Sequence, residues 1–148
     1  MENQQLNYLK TMQIIFSALL TGQALAMIIF YVFLSRPPKD DYSMDIVEIV
    51  LPLVMISTTV LGYFLFNMRR KTWLEETNLD TKKGVYRTAS IVKWAMFEGP
   101  TLLSLACYLI FSKDLYLFVA IVFMAHFTIH FPSRERVVRE LETDNIDG

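Results

Sequence analysis

The chain has 148 residues, 53% of them hydrophobic and 14% aromatic, with a formal net charge of -1. That length suits one domain, and the apolar share exceeds the roughly 45 to 50% usual for soluble domains. A near-neutral balance, with no basic stripe interleaved with aromatics, argues against nucleic-acid binding.

The apolar residues are concentrated. No charged residue occurs between Lys10 and Arg36, between Glu48 and Arg69, or between Asp114 and Arg134. Each run exceeds the ~18 residues that mark a membrane-spanning helix. A fourth apolar stretch, between Arg87 and Lys113, is interrupted only by Lys93 and Glu98. The expected fold is an all-α integral membrane domain over residues 1–148. Its four spans are placed at about 10–35, 46–68, 87–111 and 114–132, with a loop over 69–86 and a tail over 133–148. The first span is not read as a signal peptide. Its leading flank carries Glu2 and Lys10 instead of a basic cluster, and the chain stays apolar beyond Ala24-Leu25-Ala26.

Lysine and arginine favour the cytoplasmic side. The N-terminus, central loop and tail hold ten of these residues, whereas the opposite side holds Arg36, Lys39 and Lys113. Both termini are therefore expected in the cytoplasm. The first and third spans also share a register. Thr11, Ile14, Ala18, Gly22, Leu25, Tyr31 and Ser35 recur as Thr88, Ile91, Ala95, Gly99, Leu102, Tyr108 and Ser112 at one constant offset. This suggests a tandem of two helical hairpins in the same orientation, although apolar helices also resemble one another by composition. Thr72 to Leu74 in the loop, and Val137, Val138 and Leu141 in the tail, lie beside basic residues. They suit short helices on the headgroup surface, solvated helical extensions or a partner-docking surface.

Glu98 lies about a dozen residues inside the third span, ~17 to 18 Å deep at 1.5 Å per residue. An ionised carboxylate is expensive there, so a protonated acid is expected. Lys93, five residues earlier, points to a different face and is long enough to snorkel toward the cytoplasmic headgroups. Matching depth brings Thr21 and Gln23 of the first span, and Ser57, Thr58 and Thr59 of the second, to the level of Glu98. With Thr101 and Ser104 they can form a buried polar layer. Pro100 removes a helical amide and predicts a kink, and Gly99 before it eases the backbone restriction and allows close helix approach. Such a layer serves either as glue for the bundle or as an ion site.

His126 and His130 share a helix face at a spacing of four, but a metal site needs further ligands. No metal or other cofactor is expected. Cys107 is the single cysteine and suits a small packing position. No nucleophile stands at a recognisable spacing from a base, and no glycine-rich phosphate loop occurs, so an enzyme is not expected.

The stretch Trp94-Ala95-Met96-Phe97-Glu98-Gly99-Pro100-Thr101-Leu102-Leu103, followed by Cys107-Tyr108-Leu109, resembles the carboxylate-bearing helix of rotary ATPase proteolipids, the c-type subunits. That resemblance implies a carboxylate that takes up and releases a proton or sodium ion, here Glu98. The second span differs in carrying only Gly62 where proteolipids are glycine-rich, and the central loop is long. The whole chain also resembles a set of small four-pass bacterial membrane proteins of unknown function. These share an Ala-x-x-Glu-Gly-Pro third helix and a tail like that at Pro132, Ser133 and Val138, which implies a bacterial cytoplasmic membrane. The expected role is that of a non-enzymatic accessory or structural subunit, embedded in lipid and packed against other subunits or copies of itself. The alternative is a proteolipid-like carrier.

Overall fold

The computed structural model describes residues 2–33 and 46–142, with side chains from Tyr8 to Val32 and from Ile46 to Glu142. These residues form five α-helices and no strand: α1 Glu2–Phe33, α2 Ile46–Leu74, α3 Leu79–Phe111, α4 Asp114–Thr128 and α5 Arg134–Leu141. Three stretches, Tyr8–Val32, Ile46–Leu74 and Leu79–Phe111, are long and apolar enough to cross a membrane. Ile28, Ile29, Leu53, Ile56, Val60 and Phe64 are exposed on their outer faces. So much exposed apolar surface on helices, whose backbone groups bond internally, is the character of a helical membrane protein.

α4 is shorter. Its 15 residues span ~22 Å and end at Thr128, not near 132 as the apolar pattern suggests. Pro132 disfavours helix at Phe131, and the Ser133 side chain then caps α5 by accepting the Arg136 N–H at 3.3 Å.

The central loop is also shorter than expected. α2 carries Arg69, Arg70 and Lys71 in its final turns, and only residues 75–78 separate it from α3. Asn78 opens α3 by accepting the N–H groups of Asp80 and Thr81 at 3.0 and 3.2 Å, and Asp80 suits the positive end of the helix dipole. These polar extensions stay helical because aromatic residues tie them together. Trp73 and Tyr86 are buried and meet edge to face, with centroids 5.5 Å apart.

α3 is the central helix, packed against α1, α2, α4 and α5. α1 packs on α3 and α4. Two contacts show that α1 and α3 run in the same direction. Tyr8 donates to the Lys83 carbonyl at 2.9 Å, and Phe16 meets Trp94 edge to face at 5.2 Å. One core cluster, including Met12, Phe16, Trp94, Phe97 and Phe127, fills the half of the bundle next to the α2–α3 connection. A second, formed by Leu51, Met55, Cys107, Tyr108 and Tyr116, fills the other half. There Lys113, between α3 and α4, pairs with Glu48 in the first turn of α2 at 2.7 Å.

α5 does not lie with its apolar side free. Val137 and Leu141 are fully buried in the first core cluster, and the Trp73 indole donates to the Glu140 carbonyl at 3.2 Å. Expected on a headgroup surface, in a solvated extension or on a partner-docking surface, these tail residues pack instead on the chain's own bundle.

Candidate functional site

The residues expected to form a mid-span polar layer separate into three groups. Ser57, Thr58 and Thr59 turn back on their own helix. Their hydroxyls donate to the carbonyls of Leu53, Val54 and Met55 at 2.6 to 3.0 Å, as serines and threonines commonly do in helices. Thr21 is exposed.

Gln23 and Thr101 form the second group, and both are fully buried. Each lies seven residues, close to two helical turns, beyond the Phe16–Trp94 contact, so the parallel course of α1 and α3 brings them to one level. Neither side chain forms a hydrogen bond among the described residues. Ser104, also buried, donates to the Tyr116 carbonyl at 2.6 Å.

Glu98 stands apart from both groups. It is partly exposed on α3 and forms no hydrogen bond or ion pair among the described residues. α3 continues as helix through Gly99 and Pro100 to Phe111. A Cβ added at Gly99 would meet nothing within 4 Å, so among the described residues no helix packs closely there. The close approach lies instead at Gly62, against Met96 and Phe97.

The histidines serve the packing between helices. The His130 Nδ1–H donates to the His126 carbonyl at 3.0 Å, which leaves Nε2 to accept the Tyr63 hydroxyl at 2.6 Å in the neutral ring. Phe97 lies against both rings, with centroids at 5.4 and 4.8 Å. Among the described residues, no three His, Cys, Asp or Glu side chains gather as a metal site.

A further polar feature is one that the apolar pattern did not point to. Where α2 ends and α5 docks, a cavity of about 460 Å³ is lined by the cations Arg70, Lys93, Arg136 and Arg139 and by one carboxylate, Glu140. Tyr63, Phe66 and Trp73 supply aromatic walls. Lys93 is only 6% exposed, and its Nζ lies 3.6 Å from the centre of the Phe66 ring, a cation–π contact. It forms no ion pair among the described residues. Glu140 is already engaged, accepting the Tyr86 hydroxyl at 2.7 Å with Arg136 at 3.9 Å. Arg136 also donates to the Ile129 carbonyl at 2.7 Å, and Arg70 pairs with exposed Glu142 at 2.7 Å. One signal for this cavity was present in the sequence. Lys93 is a cation inside an apolar run, and it does turn toward the basic end of the bundle.

Next to the cavity, between α2 and α4, an apolar groove of about 280 Å³ is lined by Ile56, Thr59, Val60, Val122, Phe123 and His126.

Comparison with known proteins gives no match: no family model, no curated protein and no solved structure is similar to this chain.

Proposed function

We propose that the chain is a non-enzymatic accessory subunit of a larger cytoplasmic-membrane assembly, crossing the bilayer four times with both termini in the cytoplasm. The observation that carries this reading is Glu98. It sits 13 residues before the end of α3, partly exposed, and no side chain among the described residues answers it. A carboxyl group on a lipid-facing surface at that depth is costly, and a donor from a neighbouring chain relieves the cost. Gly99 beside it leaves open space for such a neighbour. The return of α4 to the end where α5 meets Trp73 supports a fourth crossing, which its short length meets by local thinning of the bilayer. The parallel course of α1 and α3 supports the internal repeat.

The same exposed carboxyl also favours a second reading, a proteolipid-like carrier in which Glu98 binds a proton or sodium ion at the outer face of a ring. Native mass spectrometry of the complex extracted from its own membranes in a mild detergent separates the two. The accessory reading expects a fixed set of other proteins. These should be retained by Glu98→Gln, which still donates and accepts hydrogen bonds, and lost with Glu98→Leu. A ring made only of this chain, assembled but inactive in ion transport as Glu98→Gln, would replace the accessory reading with the carrier.

A further inference from the structure

We propose that the α2–α4 side of the bundle binds one anionic phospholipid, with its phosphate among the cations around Lys93 and one acyl chain in the adjoining apolar groove.

Charge is the first argument. Among the described residues, four cations and one carboxylate line the cavity. Glu140 is held by Tyr86, and Arg70 by Glu142. Lys93 and Arg139 have no carboxylate partner among the described residues. The Lys93 ammonium, buried against the Phe66 ring and facing a Glu140 carboxylate shared with Tyr86 and Arg136, is incompletely compensated, whereas a phosphate accepts several charge-assisted hydrogen bonds at once. Arg136 and Arg139, three residues apart on α5, share a face and can meet two oxygens of one phosphate.

Register is the second. The polar cavity and the apolar groove share the α2 wall, where Tyr63 follows Val60 by three residues, and His130, in the turn just past α4, follows His126 by four. One helical turn of α2, ~5 Å, therefore separates the two compartments. A lipid joins a phosphate to acyl chains over a comparable distance. The hydroxyl of Thr59 is committed to the Met55 carbonyl, so the groove presents an apolar wall. The rings of His130 and Tyr63 bond each other at the boundary and leave the anion to the cations above.

A soluble phosphate compound would use the cavity and leave the groove unfilled. A zwitterionic lipid would fill the groove but bring its own cation against Lys93 and the arginines. The two compartments together select a single-sign, phosphate-bearing amphiphile, and their place at the basic end of the apolar helices matches the headgroup level.

The test uses the full chain in detergent, offered equimolar phosphatidylglycerol and phosphatidylcholine with identical acyl chains, and read by native mass spectrometry. Phosphatidylglycerol is expected to bind about tenfold or more tightly than phosphatidylcholine, with a preference reduced about tenfold by Lys93→Gln and by Arg139→Gln. Arg139 is exposed, so that variant tests the site even if Lys93→Gln unfolds. Val60→Trp, which fills the groove, should weaken both lipids. Soluble glycerol 3-phosphate at millimolar concentration should leave phosphatidylglycerol bound. Equal retention of the two lipids would overturn the proposal, and so would indifference to Arg139→Gln. Displacement by glycerol 3-phosphate would overturn it in favour of a site for free phosphate compounds.

Discussion

Gly62 of α2 lies directly against Met96 of α3. A Cβ added to the glycine would stand 2.9 Å from the Met96 Cβ and 3.1 Å from Cε1 of Phe97. Neither helix backbone can yield cheaply, because Phe97 is itself packed against Tyr63 and both histidines. Gly62→Ala is therefore expected to destabilise the bundle by about 1–3 kcal/mol. Gly22→Ala and Gly99→Ala, which meet nothing within 4 Å, should be neutral or stabilising by up to about 1 kcal/mol through helix propensity. Thermal unfolding of the three variants in one detergent checks the order, and a Gly62→Ala protein as stable as the parent would contradict the packing described.

Gln23 is fully buried with both amide atoms unbonded among the described residues. Each unmade bond of this kind costs about 1–3 kcal/mol, and leucine fills a similar volume without that penalty. Gln23→Leu should raise the midpoint of thermal unfolding of the isolated chain. A lower midpoint would mean that the amide has a structural partner within the fold.

Leu141 anchors α5 to the core beside Trp73. Leu141→Ala should cost about 2–5 kcal/mol in local packing, enough to release α5 from the bundle. Trypsin would then cleave faster after Arg136 and Arg139, and the Trp73 fluorescence would shift to the red as its indole loses the Glu140 carbonyl. Parental cleavage rates in the variant would show that α5 is held by something other than this contact.

The charge-free runs were sufficient to place α1 and α2, and the apolar stretch interrupted only by Lys93 and Glu98 placed α3. Backbone groups in lipid must bond within their own segment, so a long apolar run can be little else than a helix. Counting residues gives the place of Glu98 along α3 but not its partners: the expected layer with Gln23 is not formed, and Glu98 stands partly exposed. The helix ends were not legible. Hydropathy marks where lipid stops, whereas Arg69 to Leu74 and Leu79 to Arg87 remain helical because Trp73 and Tyr86 pack together above that boundary.

Only the tertiary structure decided which polar residues meet. Ser57 and Thr58 share the expected depth with Gln23, yet they bond their own helix while Gln23 faces the core. Lys93 and Arg139, far apart in the chain, line one cavity because α5 folds back onto the end of α2. The physical reason is the rotation of each helix about its own axis. In lipid all apolar faces are nearly equivalent, so that rotation is set by the fit of particular side chains, such as Gly62 beneath Met96, which no single helix contains.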